Sequence, residues 1–520
     1  MKLQLHFLWF TLAIITLISC DQKSENNKNS SQARPNIVFI LADDMGWSEL
    51  GFNSNTKKYT PNIDQLKEEG LSLTQFYVHA VCAPSRTAFL TGRYPFRNWT
   101  DWRSEDFGKP TYLNMLGMKL RKNEDGEETR MIHALAGEER TIGEALQEKG
   151  YDTAIAGKWG CGEWLAEHLP MEQGFAHQYG HYGWGLDYTN YTIPHNAPAR
   201  FAVYDWHRNQ EPLNEQGYAT DLIANEVVNL IANHKDNHGS DPFFYYIPFN
   251  AIHGPLEEIP RYVDEVGKRH AAIKCLDDAV GRIVGAINQY GFADNTLIVF
   301  TNDNGAIRDT MNAPYRGTKN TNLEGGVRAP CVLHWPGKIK AGEEHDGLMH
   351  ITDFYPTLIA IAGASTEQEL AIDGIDMTSL IFEGKKSERE EIIFEVSNSV
   401  RPACIRLGDY KLIGEELYNI KEDPKEEVNH AQQLPDIALR LKTRLEEVGS
   451  ERPPMPDMNL LMTPSLPWVY GQQENTKVPE WVKERMRPIR SAQPQKWAAG
   501  TTPWPQAPID GKITYTGDGR

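Results

Sequence analysis

Along the chain, short apolar runs of strand length end in polar residues and alternate with longer segments of helical period. The first, "PNIVFILADDMG" from Pro35, is an apolar run followed by a polar turn. "FFYYIPFNAIHGP" from Phe243 and "TLIVFTNDNGA" from Thr296 repeat the plan. Runs of this length, bounded by turn residues, predict strands buried on both faces. Between them, "TIGEALQEKG" before Tyr151 and "AAIKCLDDAVGRIVGAINQYG" from Ala271 read as helices. This alternation predicts an α/β fold whose sheet is covered by helices on both faces. In such sheets ligands bind beyond the carboxyl ends of the strands, where the polar clusters fall.

The pattern changes near "FEGKKSEREE" (Phe382 to Glu391). Beyond it, "CIRLGDYKLIGEELYNI" predicts a hairpin of a smaller antiparallel sheet, and "DIALRLKTRLEEV" a helix. The tail from Glu451 is rich in Pro and Trp, lacks periodicity, and is expected to wrap the surface of the main domain. At the other end, Lys2 precedes an apolar run, Phe7 to Ser19, too short for a bilayer core of roughly 30 Å; it reads as a signal peptide. "LISC" is similar to the bacterial lipoprotein processing box, which makes Cys20 a lipidation site and the polar "DQKSENNKNSSQ" a flexible tether. The expected divisions are a signal peptide over 1–19, a tether over 20–34, an α/β domain over 35–385, an antiparallel subdomain over 386–450 and a wrapping tail over 451–520. The expected location is the bacterial cell envelope, in the periplasm or at the outer membrane or cell surface, with the lipid as the membrane contact.

The chain has 520 residues and a net charge of −18, which argues against partners that are nucleic acid or anionic membrane. An anionic substrate would need positive charge concentrated in one pocket. Of the six cysteines, setting aside Cys20 and Cys82 leaves Cys161, Cys275, Cys331 and Cys404, which admit three pairings or none.

Asp43 and Asp44 close the first strand, and Asp303 and Asn304 close another. Adjacent carboxylates repel, so a pair at a strand end points to a cation between them. These four offer hard oxygen ligands, which favour Ca²⁺ or Mg²⁺ over zinc. Arg86, Lys158, His253 and Lys319 lie in loops near the same strand ends. A metal ringed by fixed cations suits transfer of an oxyanion group. Cys82 sits in a Pro-Ser-Arg turn ahead of a short apolar segment, an odd place for a free thiol in an exported chain.

"CAPSRTAFLTGR", from Cys82 to Arg93, resembles the type I sulfatase motif Cys-x-Pro-Ser-Arg-x-x-x-Leu-Thr-Gly at every defined position. "NIVFILADDMGW", "GYDTAIAGKWG", "AIHGPLE", "FTNDNGA" and "RGTKNTNLEGGVRAP" follow the family's order, and the resemblance runs from about Asn36 to "GDYKLIG…LYNIKEDPKE". "GHYGWGLDYTN" and "AIHGPLE" look most like arylsulfatase B-type enzymes. The resemblance implies an alkaline-phosphatase-like fold, with a large central mixed sheet and a smaller C-terminal antiparallel subdomain. It also implies that a maturation enzyme oxidises Cys82 to Cα-formylglycine (3-oxoalanine), whose hydrate is the nucleophile. The second hydroxyl on that carbon then expels sulfate and restores the aldehyde, splitting one hard step into two. By the same resemblance Asp43, Asp44, Asp303 and Asn304, with residue 82, hold Ca²⁺, Mg²⁺ being the less expected ion. Arg86 orients the formylglycine, Lys158 and Lys319 hold sulfate oxygens, and His253 contacts the sulfate and, with Lys319, protonates the leaving oxygen.

One position departs from the family. The common block Gly-Lys-Trp-His ends here in Gly160, so the base is expected elsewhere, with His181 and Asp187 as candidates that otherwise serve as substrate-loop or packing residues. The implied substrate is a sulfated polysaccharide or oligosaccharide, algal (ulvan, carrageenan or fucoidan) or, alternatively, a glycosaminoglycan. "RNWTDWRSEDF", "HYGWGLDY" and "VYDWHRNQ" offer aromatics for sugar stacking. The competing classes are a phosphodiesterase or phosphonate hydrolase of the same fold, disfavoured by Cys82, and a non-catalytic glycan-binding lipoprotein, disfavoured by the intact cation set.

Overall fold

The structure, a computed structural model, describes residues 34–54, 59–101, 118–122, 128–132, 134–162, 166–192, 204–239, 241–396, 401–453 and 481. The signal segment, Cys20 and nearly all of the tether and tail lie outside these residues. No helix among the described residues is long and apolar enough to cross a membrane.

Asn36–Ala42 runs through the middle of a ten-stranded mixed sheet. It pairs in parallel with Thr296–Asn302 on one side and with Phe243–Pro248 on the other. Asp152–Lys158 and then His177–His181 continue the parallel run outward. Beyond Thr296–Asn302, Cys331–His334 and Leu71–Leu73 are antiparallel to their inner neighbours. Alternate residues of the central strand serve opposite faces. Ile37, Phe39 and Leu41 pack with Phe89 and Phe354 of the helices Cys82–Thr91 and Phe354–Ala362. Val38, Ile40 and Ala42 pack with Ile223 and Ile283 of Ala219–Asn237 and Val263–Gln289. Both faces are covered, as the continuous apolar runs require.

The expected C-terminal hairpin is part of a four-stranded antiparallel sheet: Glu391–Glu395, Cys404–Leu407, Tyr410–Ile413 and Glu416–Asn419. The helix Pro435–Ser450 lays Leu441, Leu445 and Val448 against Ile405, Leu412 and Leu417. Cys161, Cys275, Cys331 and Cys404 are buried and free, so none of the three pairings occurs. Of the tail, the described Trp481 sits edge-on to Tyr204, with ring centroids 5.2 Å apart.

A buried charge cluster joins the small sheet to Tyr77 and to the short helix Glu324–Val327. Lys411 donates to Glu324 Oε1 at 2.9 Å and lies 3.0 Å from Glu426 Oε1, with no side chain of the three exposed. Glu426 Oε2 accepts from the Glu324 main-chain N–H at 2.7 Å, and Tyr77 Oη donates to Glu324 Oε2 at 2.7 Å. Burial opposes ionisation of Glu324, but Lys411, Arg328 and Arg406 hold its carboxyl down at about 2. Removing one partner of such a set strands the others without compensation. Lys411→Met is therefore expected to cost about 3–5 kcal/mol in urea unfolding at neutral pH. A loss below about 1 kcal/mol, the range of an exposed pair, would show that the cluster does not hold the small sheet to the segment bearing Glu324.

Candidate active site

Five parallel strands end on one side of the sheet, and the polar residues that follow them meet there. The register Ala42 to Asn302 places the segment Asp43–Asp44 beside Asp303–Asn304. Asp44 turns the chain with φ of 60°, a left-handed conformation that a short acidic side chain tolerates. Lys158 is the last residue of its strand, and His253 lies in the loop after Pro248.

The Pro-Ser-Arg segment is the first turn of the helix Cys82–Thr91 rather than a loop turn. Proline is tolerated there because an N–H at that point would have no helical acceptor. Cys82 and Arg86, one turn apart, share a face of this helix. Ser85 Oγ accepts from the His79 N–H at 2.9 Å and ties the helix start to the preceding segment.

Arg86 is fully buried and spans the two acidic strand ends. Its guanidinium donates to Asp303 Oδ2 at 2.7 and 3.1 Å, to Asp43 Oδ2 at 3.1 Å and to the Lys158 carbonyl at 2.9 Å. Lys158 Nζ reaches Asp43 Oδ2 at 2.5 Å. Lys319 Nζ and Asn304 Nδ2 converge on Asp44 Oδ1 at 2.6 and 2.8 Å, and His253 Nε2 lies 3.8 Å from Asp44 Oδ2. The loop carrying Lys319 is pinned on both sides, by Lys319 N–H to Ala306 O at 2.9 Å and Asn320 N–H to Ala80 O at 2.8 Å. Cys82 is 7 % exposed and lies within electrostatic reach of Arg86 and Lys319.

Three oxygens in this cluster, Asp43 Oδ1, Asp303 Oδ1 and Asn304 Oδ1, are buried without a hydrogen-bond partner. Both aspartates give one oxygen to Arg86 and leave the other bare. Unpaired buried acceptors are costly, and three together form a hard donor set that fits a divalent cation. Single ligand atoms of Asp43, Asp44 and His253 also lie within 4.8 Å of one another. Burial resists the charge on Asp43, but Lys158, His253, Arg86 and Lys319 overcome it and hold its carboxyl well below the usual range. Burial and the neighbouring Asp43 push Asp303 up to about 6 despite Arg86. Two buried carboxylates this close repel each other, and positive charge between them relieves that repulsion.

His181 pairs in register with Lys158 in the neighbouring strand. It is fully buried, neither ring nitrogen has a hydrogen-bond partner, and burial lowers its pKa to about 3. Asp187 accepts from the Asn190 N–H at 2.7 Å and from Thr192 Oγ1, so its carboxylate closes a turn. Among the stacking candidates, Trp184 stands beside His253 with ring centroids 6.1 Å apart. Trp206 is not available to a sugar: it is fully buried, donates to Glu215 at 2.5 Å and packs on Tyr191. Trp99 lies under Arg452, 4.0 Å from its ring, and Trp102 lies outside the described residues.

Arg269 supports the site without any local signal: it donates to the Asp44 carbonyl at 3.0 Å. Tyr188, the last residue of the aromatic block "HYGWGLDY", donates from Oη to the His253 carbonyl at 2.8 Å rather than lying open to a sugar. Both come from distant segments whose approach depends on the folded chain.

Bare buried oxygens, a thiol-bearing helix start and fixed cations at the strand ends of a mixed sheet suit a hydrolase acting on an oxyanion ester. Comparison with known proteins narrows the class. Residues 35–364 match the Sulfatase family model, and residues 318–451 match the N-sulphoglucosamine sulphohydrolase C-terminal model. Arylsulfatase J of Mus musculus is 28 % identical over 81 % of this chain and 77 % of its own length. N-acetylgalactosamine-6-sulfatase of Sus scrofa is 31 % identical over 72 % of this chain and 71 % of its own. Among solved structures, Ps i-CgsB in complex with k-i-k-neocarrahexaose superposes with a TM-score of 0.68 at 27 % identity, covering 82 % of this chain and 95 % of that one. The PsFucS1 sulfatase from Pseudoalteromonas sp. gives 0.68 at 26 % identity, covering 82 % and 92 %. The chain belongs to the type I sulfatase family and is a sulfuric ester hydrolase.

The structure also gives a reason for glycine at position 160. Gly160 has φ of 68°, and a Cβ there would stand 3.3 Å from both Arg86 Cδ and Lys158 Cε. Any side chain would strain the backbone and press on two buried cations. Gly160→Ala is expected to lose about 1–2 kcal/mol from its left-handed backbone alone, read as a lower melting temperature. An unchanged melting temperature would show that this backbone relaxes freely.

Proposed function

We propose that the chain hydrolyses sulfate esters of a sulfated carbohydrate, an algal polysaccharide such as ulvan, carrageenan or fucoidan or its oligosaccharides. Residue 82 would act after maturation to formylglycine, and the bare oxygens would hold Ca²⁺. The observation that carries this reading is the partnerless set Asp43 Oδ1, Asp303 Oδ1 and Asn304 Oδ1 in one cluster with Cys82, the buried cations Arg86 and Lys158, and the nearly buried Lys319. Support for the substrate class comes from the carbohydrate complex of Ps i-CgsB. The pig relative named for N-acetylgalactosamine-6-sulfate favours a glycosaminoglycan as the second reading. We propose as well that Cys20 carries a lipid that keeps the enzyme at the cell envelope.

In this reading Asp43, Asp44, Asp303 and Asn304 would hold the cation, which when bound would supply Lewis acidity toward a sulfate oxygen. Hydrated formylglycine supplies a nucleophilic hydroxyl and a second one on the same carbon for sulfate release. Arg86 keeps the acidic strand ends in place and fixes the helix that presents residue 82. Lys158 and Lys319 neutralise sulfate oxygens as charge builds in the transition state. His253 gives Nδ1–H to the Gly254 carbonyl at 2.7 Å, so its Nε2 is the atom turned to the leaving sugar oxygen. His181, buried and without partners, backs Lys158 rather than meeting substrate. Trp184 lies beside His253, where a sugar ring would rest.

The test is sulfate release from a panel of algal and animal oligosaccharides by protein co-produced with a maturation enzyme, followed by ion chromatography. Turnover is expected for wild type, with a fall of at least about a thousandfold in Cys82→Ala, as for loss of a covalent nucleophile. Full turnover by that variant would sink the mechanism. Chelation is expected to abolish activity and lower the melting temperature, with Ca²⁺ restoring both. At a hundredfold excess over Kd the ion should stabilise the fold by about 2.7 kcal/mol. A melting temperature indifferent to chelator and Ca²⁺ would remove the metal from the proposal.

A further inference from the structure

Next to the strand ends lies a groove of about 590 Å³ that the chemistry above does not use. Its walls are continuous in sequence with the site: Glu49 follows Asp44, Leu256 follows His253, and Ile307 and Arg308 follow Asn304. Lys268, Arg269 and His270 close the far side. Arg269 is the joint between groove and site. It donates to the Asp44 carbonyl at 3.0 Å and to the Glu49 carboxylate at 2.5 and 2.7 Å, so its charge is already matched.

The remaining cations are not matched in this way. Arg308 is exposed and its side chain has no charged partner among the described residues. Lys268 has a 3.4 Å pair with Glu258 in which both side chains are more than half exposed, a contact of little strength. His270 stacks on Tyr59 with centroids 4.4 Å apart and interplanar angle 11°, and its Nδ1 lies 3.3 Å from the Val266 carbonyl, leaving Nε2 available. Ile307, 55 % exposed, is one of three large apolar side chains left open among the described residues, and it lines the groove with these cations, three residues after Asn304. In a chain of net charge −18, exposed cations gathered around an open apolar side chain form a local surface for an anion carried on a partly apolar body.

We propose that this groove is a subsite for a second oxyanion group, sulfate or carboxylate, on the same glycan whose sulfate ester is cleaved at residue 82. Arg308 and Lys268 meet the second anion, and Ile307 and Leu256 meet the C–H face of the intervening sugar. The preferred substrate is then a polyanionic oligosaccharide rather than a singly sulfated sugar. This rests on the sulfatase reading above.

The experiment compares wild type with Arg308→Glu and with Lys268→Ala/Arg308→Ala. Substrates are oligosaccharides bearing a second sulfate, oligosaccharides bearing a uronate carboxylate, and a singly charged aryl sulfate. The ratio of kcat/KM for oligosaccharide over aryl sulfate is expected to fall about five- to twentyfold in the double variant, as for two solvent-facing charge contacts. The loss should lie in KM rather than kcat, be larger in Arg308→Glu, and shrink at high salt. Whether the sulfated or the carboxylated series carries the loss identifies the second anion. An unchanged ratio, or equal loss on aryl sulfate, overturns the subsite. If wild type releases sulfate from nothing, the sulfatase mechanism fails separately. Calorimetric titration of Cys82→Ala with the same oligosaccharides then decides the groove: binding weakened by added Arg308→Glu upholds it, and binding that is absent or unaltered overturns it.

Discussion

Asp43 and Asp303 are brought side by side by two adjacent parallel strands, and Arg86 lies between them with all three side chains buried. A buried pair of carboxylates is unstable without compensation, and a buried guanidinium is equally so. Each therefore fixes the other. Because Arg86 also holds the Lys158 carbonyl, one side chain locks together the ends of three strands and the helix that begins at Cys82. The lysines and His253 then find their places around an arrangement that cannot shift without exposing charge to an apolar interior.

The same constraint leaves room for chemistry. Arg86 satisfies one oxygen of each aspartate, and the geometry of its flat fork leaves the other oxygen of each bare. Asn304 adds a third bare oxygen while spending its amide on Asp44. What would be a defect in a structural ion pair is here a set of hard donors that fits a divalent cation. Positive charge concentrated at this point also reconciles an acidic protein with an anionic ester, since the field that matters to substrate is local rather than net.

Support for the site reaches well beyond the sheet. The loop bearing Lys319 leads into Glu324, which is buried against Lys411 and Glu426 of the C-terminal subdomain. That subdomain thus contributes buried counter-charges to the loop that carries an active-site cation. Docking the small sheet and setting Lys319 are parts of one packing problem.

Much of this was legible in the residues themselves. Apolar runs bounded by polar turns marked the parallel strands because a strand buried on both faces must be apolar throughout, and Asp43–Asp44 and Asp303–Asn304 at their ends marked the candidate site. The Cys82 to Arg93 block identified the family because its residue types and spacing are specific. Side-chain burial was not legible. Trp206 and Trp184 sit in similar aromatic segments, yet one is core and the other stands by His253, a difference set by which side of a strand or loop faces inward. Nor could the sequence say that Asp187 closes a turn, that four cysteines stay apart, or that Arg269 comes to rest on Asp44. Local pattern determined the elements and the chemistry available at their ends. The register between strands and the approach of distant helices decided which of those groups meet, because contacts across hundreds of residues depend on packing that no short stretch of sequence contains.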